Sequence, residues 1–276
     1  MQPRPCLVGD IEVTPLWDGP LPAGLGKIVD DAQRAEAEAL VAEAPPDALT
    51  MPVWGFLLNA GGRYALIDAG AGTTMSRDLG QLGTALQAQG VSPDKIERIY
   101  LTHLHKDHFG GLVDRTGGAA FPQAEIVLHA REAEFWLDTP MQAMPRRAHR
   151  YYDLTLKAMA LYDGRIRRAG EGERVGDLVP LLAPGHTPGH ACWRIVAGGR
   201  SMLAWGDVVH VACLHLPAPH IVMEYDLDPA TALATRLKIL DLVTSQRIPV
   251  AGSHLPGPGV GMIVRKGEAY AFEPFG

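Results

Sequence analysis

One short segment places three histidines and an aspartate within six positions, directly after an apolar strand pattern. Its polar members are His103, His105, Asp107 and His108, and the run from Ile99 to Leu101 precedes them. Alternate side chains of an extended strand end face the same side, so His103 and His105 should lie together, while a turn brings Asp107 and His108 toward a second position nearby. The segment therefore predicts ligands for two metal ions held by one loop.

Four ligands are too few for two ions, because each ion takes three or four protein groups plus solvent. Three further candidates each follow a hydrophobic strand pattern: His186 after 178–182, Asp207 after 201–205 and His254 after 248–250. A lone polar residue after a strand is more often structural, but a ligand in that position is held by a rigid sheet. We therefore predict that these three complete a dinuclear site.

The order of the seven residues resembles the signature of the metallo-β-lactamase superfamily, and all seven positions match. The resemblance covers nearly the whole chain and implies an α/β fold, the αββα sandwich of that superfamily. It implies that one metal takes His103, His105 and His186. It implies that the other takes Asp107, His108 and His254, with Asp207 bridging both ions together with a hydroxide. Asp107 thereby counts as a catalytic residue as well as a ligand.

The segments around Asp207, His254 and Glu134 to Leu137 look like the methyl parathion hydrolase branch. That branch mixes organophosphate, lactone and aryl-ester hydrolases, so the resemblance narrows the reaction better than the substrate. It implies an enzyme that opens lactones or aryl esters, with phosphotriesters as a side activity. A small hydrophobic ester, lactone or phosphotriester is the expected partner.

Three residues are candidates for supporting or catalytic roles. Asp68 resembles the family carboxylate that orients a ligand histidine, and a turn-forming aspartate before glycine is the alternative. His190 is expected to support the ligands rather than to bind a metal. His210 stands where lactone-degrading relatives carry a tyrosine, so it could donate to a developing oxyanion or protonate a leaving group; a structural histidine is the alternative.

The substrate walls are the least constrained part of the sequence. Trp136 and Met75 stand where the organophosphate hydrolases place aromatic wall residues, although core packing would equally explain Trp136. Tyr225 and Trp54 are weaker candidates for the same wall.

The ligand chemistry favours two divalent metal ions per chain. Two such ions lower the pKa of a shared water from 15.7 toward about 7 and so generate a nucleophile at neutral pH. Imidazole and carboxylate ligands without a thiolate favour zinc, while iron, manganese and cobalt also suit them. Cys6, Cys192 and Cys213 form no metal-binding pair, so no thiol is expected to act as a nucleophile.

Composition restricts the partners further. The chain has 276 residues, 47% of them hydrophobic and 20% charged, and a net charge of -6. These values suit a single domain over residues 1–276 and argue against a nucleic-acid-binding face. The first ten residues hold no long apolar run, so we expect a cytoplasmic protein without a membrane anchor. Homodimers are common in the family, which makes a homodimer the expected oligomer.

Two other hydrolytic activities fit the metal site less well. Dedicated β-lactamases of this fold are usually exported, and the chain shows no signal segment. A thiolesterase of the glyoxalase II type would need a basic C-terminal cluster to hold glutathione, and none is evident. A binding role without catalysis would require lost ligands, and none is lost.

Periodicity and turn residues predict many short strands with helices around them, which suits two sheets with helices outside. Helices are predicted at 30–44, 77–89, 130–137, 151–161 and 229–245. Strands are predicted at 11–18, 53–59, 64–67, 96–101, 126–129, 178–182, 192–196, 201–205, 248–250 and 262–265, with a loop at 21–26.

Overall fold

Strands from the first two thirds of the chain form a seven-stranded sheet in sequence order. A computed structural model describes residues 4–73 and 75–275. The strands are β1 (Cys6–Val8), β2 (Ile11–Pro22), β3 (Thr50–Ala60), β4 (Arg63–Ile67), β5 (Ile96–Tyr100), β6 (Glu125–His129) and β7 (Ile166–Ala169). Pairing is antiparallel from β1 to β4 and parallel from β4 to β7.

The later strands form a six-stranded sheet in the order β13-β12-β11-β10-β9-β8. They are β8 (Leu178–Leu182), β9 (Ala191–Ala197), β10 (Arg200–Ala204), β11 (Val250–Ala251), β12 (Val260–Lys266) and β13 (Ala269–Pro274). Only the pair β10 and β11 is parallel among these described strands. The carboxyl ends of β10 and β11 therefore meet at one edge.

Seven α-helices are described: α1 (Asp31–Ala42), α2 (Leu82–Ala88), α3 (Lys106–Phe109), α4 (Ala130–Ala133), α5 (His149–Ala160), α6 (Ala212–His215) and α7 (Pro229–Ser245). The Asp30 carboxylate caps α1 by accepting the Ala32 N–H, and the Asp228 carboxylate caps α7 by accepting the Thr231 N–H. In the described part of the chain, no helix combines the length and the apolar character that a bilayer span requires.

The alternation of side chains along the strands produces three packed layers of core. On β3, Phe56 and Leu58 pack between the two sheets, against residues such as Trp193 of β9. Leu57 faces the other way, into a cluster with α2 and α5. The outer face of the second sheet packs on α7 through residues such as Leu240. The layer order is helix, sheet, sheet, helix, which confirms the predicted αββα sandwich.

Several predicted boundaries are wrong for local reasons. The predicted loop at 21–26 begins as strand, because β2 runs on to Pro22 after a register shift between Trp17 and Gly19. The helix predicted from residue 77 begins only at Leu82. The buried Asp18 carboxylate accepts the N–H groups of Gly80 and Leu82, so this segment is tied to β2 before the helix starts.

Other differences lie in short elements. The helix predicted at 130–137 is α4 followed by a π-helical turn, Glu134–Asp138. The strand predicted at 248–250 corresponds to β11, which begins two residues later than predicted, at Val250. Strands β1, β7 and β13 are not among the predicted strands, because β1 and β7 are too short to show a periodicity and β13 has a mixed burial pattern.

Candidate metal centre

All seven predicted ligands lie together in the segments, helix α3 included, that follow four strands: β5, β8, β10 and β11. The first group, whose ligand atoms lie within 4.8 Å of one another, is His103, His105, His186 and Asp207. The second group, with the same spread, is Asp107, His108, Asp207 and His254. Asp207 belongs to both groups, which is the arrangement that the resemblance implies.

The donor set of both groups fits two divalent cations. His105 Nε2, His108 Nε2 and Asp207 Oδ1 are buried and have no hydrogen-bond partner. A buried polar atom without a partner costs about 1–3 kcal/mol, so three of them in one place indicate a missing partner. His186 Nε2 lies 3.2 Å from Asp207 Oδ2, and His254 Nε2 lies 3.3 Å from Asp207 Oδ1. Imidazole and carboxylate donors that converge in this way suit zinc and related metals.

Hydrogen bonds at the far side of the rings orient the ligand histidines. His108 Nδ1 donates to Asp68 Oδ2 over 2.8 Å, and His254 Nδ1 donates to the carbonyl of Pro52 over 2.8 Å. A carboxylate and a carbonyl only accept, so Nδ1 carries a hydrogen, and in the neutral ring the lone pair of Nε2 faces the centre. Both rings are therefore held in the tautomer that binds a metal.

Asp68 lies where its predicted orienting role requires it, beside His108. Besides His108, its carboxylate accepts the backbone N–H of Thr102 over 2.9 Å and the hydroxyl of Ser253 over 3.2 Å. Because the Thr102 hydroxyl also donates to Asp68, it accepts from His103 Nδ1 at 3.1 Å. Asp68 thus contacts one ligand of the second group directly and one of the first group through Thr102.

His190 contacts the backbone of Asp207 and is not a member of either ligand group among the described residues. Its Nδ1 donates to the carbonyl of Ala183 over 2.9 Å, and its Nε2 accepts the backbone N–H of Asp207 over 3.0 Å. Burial lowers the pKa of His190 to about 3, which keeps the ring neutral and able to accept. Gly206 has a φ of 53°, and a Cβ there would lie 2.7 Å from His190 Nε2, so the close approach requires glycine.

Asp226 was missed by the sequence analysis. His186 Nδ1 donates to its Oδ1 over 2.9 Å, and the guanidinium of Arg236 lies 3.5 Å from its Oδ2. Burial alone would raise the pKa of Asp226, but the hydrogen bond to His186 and the nearby positive charges lower it to about 2. No local sequence signal marks this residue, since an aspartate in an irregular segment reads as solvent-exposed.

Glu132 was also missed, and it explains the position of Trp136. The prediction that Trp136 lines a substrate wall is wrong, because its exposed fraction is 0% and it belongs to the core around α5. Its indole N–H donates to Glu132 Oε1 over 2.8 Å. The partly exposed aromatic ring beside the first group is that of Tyr151, 4.9 Å from the His105 ring.

His210 lies next to the first group. Its Nε2 is 3.4 Å from Asp207 Oδ2 and 3.2 Å from His186 Nδ1, while its Nδ1 is buried without a partner. Burial lowers the pKa of His210, so the ring is neutral. The half-buried ring of Tyr225 is 5.6 Å away, and burial raises the pKa of its hydroxyl to about 12.

A cavity of about 480 Å³ opens beside the centre. Its wall includes His210 and His254 from the centre, and Trp17, Met51 and Pro256 among its apolar residues. Asp47 is the charged residue on this wall, and the described lining includes neither lysine nor arginine. Trp54 packs edge to face on Trp17 at 4.9 Å, so it supports this wall from behind. Met75 is 37% exposed and is not part of the lining, so its role stays a prediction.

The carboxylates of the centre raise the pKa of two candidate ligand histidines. Although burial lowers the pKa of His254 and of His186, the negative charge of Asp207 and its neighbours raises these values to about 10 and about 9. These raised pKa values favour the protonated form of His186 and His254, whereas burial lowers the pKa of His103 and His105. A metal ion that enters the centre must displace those protons.

Comparison with known proteins agrees with this geometry. The sequence profile of the metallo-beta-lactamase superfamily matches residues 50–247. The protein YobT of Bacillus subtilis is 31% identical over 173 residues, which are 57% of this chain and 66% of YobT. The chain thus spans a little less than two thirds of that relative.

Two solved structures resemble nearly the whole chain. The crystal structure of AbOPH, a hydrolase in the beta-lactamase superfamily, has a TM-score of 0.90 and 29% identity, and the match covers 100% of this chain and 98% of AbOPH. AidC, a dizinc quorum-quenching lactonase in complex with the product N-hexanoyl-L-homoserine, has a TM-score of 0.89 and 24% identity, and the match covers 99% of this chain and 97% of AidC. The profile match takes in six of the seven candidate ligands, and the seventh, His254, joins them in space. The chain therefore belongs to the metallo-β-lactamase superfamily.

Proposed function

We propose that this protein is a metal-dependent hydrolase that opens neutral lactones and aryl esters at its dinuclear centre, with phosphotriesters as slower substrates. The observation that carries the proposal is the cavity beside the centre, which is apolar over most of its wall and ends at His210 and His254. A substrate whose uncharged body fills this cavity brings its carbonyl to the metal ligands.

When two metal ions are bound, they lower the pKa of a shared water and polarise the electrophile. Among the ligands, the Asp107 side chain retains 13% exposure, so the second group is reached from solvent beside His254. His210 has a different task. Of its two neutral tautomers, the one with hydrogen on Nε2 places that N–H 3.4 Å from the Asp207 carboxylate.

The other tautomer of His210 would leave a buried N–H at Nδ1 without an acceptor, since that atom has no partner. We therefore assign the hydrogen to Nε2, at the edge of the centre. From there His210 can donate to the oxygen that gains charge as the carbonyl is attacked, or to the leaving oxygen. Tyr225, whose ring stands 5.6 Å from His210, is the candidate contact for the alcohol part of an ester.

Charge distinguishes this proposal from its alternatives. Penicillin-type β-lactams carry a carboxylate, and glutathione thioesters carry two. The cavity offers Asp47 and no described lysine or arginine, so an anionic substrate would lose water without gaining a partner. AidC is a lactonase that was solved with a hydrolysed lactone, and this supports a lactone as the first substrate to test.

The experiment measures initial rates of the zinc-loaded protein on a fixed set of substrates. These are dihydrocoumarin, an acyl-homoserine lactone, p-nitrophenyl acetate, methyl paraoxon, nitrocefin and S-lactoylglutathione. We expect the highest kcat/KM with the lactones and the aryl ester. If nitrocefin or S-lactoylglutathione is the best substrate by an order of magnitude, the proposal is wrong although the metal centre stands.

Two variants test the assigned roles separately. His210→Phe removes the donor and keeps an aromatic ring, so kcat should fall by about 10²-fold or more at unchanged metal content. Asp47→Lys reverses the charge at the cavity, so it should raise kcat/KM for nitrocefin relative to dihydrocoumarin. Unchanged kcat in the first variant, or an unchanged ratio in the second, would contradict the respective role.

A further inference from the structure

We infer that Glu132 is a positioning residue that fixes the three histidines of the first metal group relative to one another. These histidines come from two loops far apart in the sequence: His103 and His105 follow β5, and His186 follows β8. Glu132 touches neither substrate nor any ligand ring. It holds the backbone of both loops, and the inference goes beyond the proposed reaction because it concerns metal binding alone.

The four contacts of Glu132 lie beside the three ligands. Oε1 accepts the backbone N–H of Leu104, the residue between His103 and His105, over 2.8 Å. Oε2 accepts the hydroxyl of Thr187 over 2.6 Å and the backbone N–H of Gly189 over 3.2 Å, and these residues follow His186. The fourth donor is the indole of Trp136 at 2.8 Å. One carboxylate thus joins the two loops that carry the first group.

Glu132 is closely packed between the two loops that it joins. Its exposed fraction is 0%. The His186 loop lies directly on α4, because a Cβ on Gly189 would come within 2.0 Å of the backbone nitrogen of Glu132. Water cannot replace the carboxylate without moving one of the loops.

The contacts also explain why a carboxylate stands here. Each oxygen accepts two hydrogen bonds, and a carboxylate is the side chain with that acceptor capacity on both atoms. Glutamine has the same shape but carries hydrogens on one terminal atom. In Glu132→Gln the oxygen could keep two donors, while the NH₂ group would face the N–H of Gly189 and repel it. The His186 loop is therefore the part that should move.

The second group depends on a different carboxylate. Asp68 binds His108 and Ser253, the residue before His254, and it reaches the first group only through Thr102 and His103. Loss of the Glu132 contacts should therefore weaken the first ion and leave the second in place. This asymmetry separates positioning of one metal from a general loss of structure.

The test measures the affinity of each ion in full-length protein loaded with cobalt(II), by competition with a chelator and by the visible spectrum. His105→Ala and His254→Ala provide the reference spectra of protein with only the second or only the first group intact. For Glu132→Gln we expect one of the two affinities to fall about 10- to 100-fold. The cobalt that remains should give the spectrum of His105→Ala.

A milder variant guards against a failure of Glu132→Gln to fold. Thr187→Val keeps the side-chain shape and removes one of the four donors, so it should weaken the same ion by a smaller factor. The melting temperature of the metal-free variants is measured in parallel. If both ions weaken equally, if the remaining cobalt resembles that in His254→Ala, or if Tm falls while both affinities are unchanged, the inference is overturned.

Discussion

The buried guanidinium of Arg236 allows a quantitative prediction, since each of its contacts is defined. Arg236 lies on α7 and is 1% exposed. Its Nε donates to the carbonyl of Val208 over 2.9 Å, and Nη1 donates to the carbonyls of Pro219 and Ile221 over 2.7 and 3.1 Å. Nη2 lies 3.5 Å from the Asp226 carboxylate. Val208 follows Asp207, and Asp226 orients His186, so Arg236 supports two metal ligands at once.

Arg236→Met keeps the aliphatic stem and removes all of these donors. Three carbonyls and one buried carboxylate then lose a partner. Removing one member of a buried ion pair costs about 3–5 kcal/mol. For chains of 150–250 residues, 1 kcal/mol shifts Tm by roughly 2–4 °C. The metal-free variant should therefore melt about 6–20 °C below the natural protein.

The measurement is urea and thermal unfolding of metal-free protein near pH 7, followed by circular dichroism. The matched control is Arg265→Met, because Arg265 forms an ion pair with Asp241 at 2.7 Å in which the side chains are 50% and 65% exposed. Exposed pairs contribute about 0–1 kcal/mol, so this variant should melt close to the natural protein. If Arg236→Met costs no more than Arg265→Met, the argument from burial is refuted.

Three further predictions concern the metal centre and the thiols. Asp207→Ala should lower the occupancy of both ions in elemental analysis, because both groups share this carboxylate. His254→Ala should chiefly empty the second group. A natural protein that binds a single ion after full reconstitution would contradict the dinuclear assignment. Replacing any of the three cysteines by serine should leave kcat/KM within a few-fold of the natural value, because the reaction needs no thiolate and burial raises the pKa of the Cys192 thiol. A hundredfold loss of kcat/KM at unchanged metal content would refute this prediction. The pKa of Asp226 is lowered to about 2 from 3.8, so its contribution to the free energy of unfolding is present above pH 4–5 and is lost as the pH falls toward 2. Asp226→Asn should therefore flatten the pH dependence of metal-free stability in this window by about 2 kcal/mol, and equal slopes in urea titrations of both proteins would contradict the assignment.

That the seven candidate ligands lie together could be predicted from the sequence, because each carries a local signal. His103, His105, Asp107 and His108 share one segment, and the other three follow apolar strand patterns. At the end of a strand the backbone conformation is fixed, so the position of a residue in the sequence predicts where its side chain lies. Asp68 could be predicted for the same reason, at the end of β4.

The residues that hold the ligands gave no such signal. Glu132 and its partner Thr187 are 55 positions apart, and Asp226 is 40 positions from His186. A single sequence does not distinguish a buried acid from an exposed one, because both occur in helices and irregular segments. Their roles depend on tertiary contacts alone.

The wrong prediction for Trp136 has a specific physical cause. The chain there forms a π-helical turn over Glu134–Asp138. The resemblance places Trp136 on the wall by its position in the sequence alone, and in this chain the turn directs the indole into the core, the alternative that the sequence leaves open. The indole enters the core and reaches Glu132, and the position of a wall residue is left to other side chains such as Trp17.

The network around the ligands also explains why metal ions belong in this fold. Asp107 and Asp207 are candidate ligands, while Asp68, Asp226 and Glu132 hold the ligand residues from outside. Arg236 is the buried guanidinium that faces this set, and it balances one of the five carboxylates. The carboxylates raise the pKa of His186 and His254, so these histidines carry positive charge that balances other carboxylates of the set. If the two groups hold two divalent ions, His186 and His254 would bind them in the neutral form, and the positive charge of the ions would take the place of these protons.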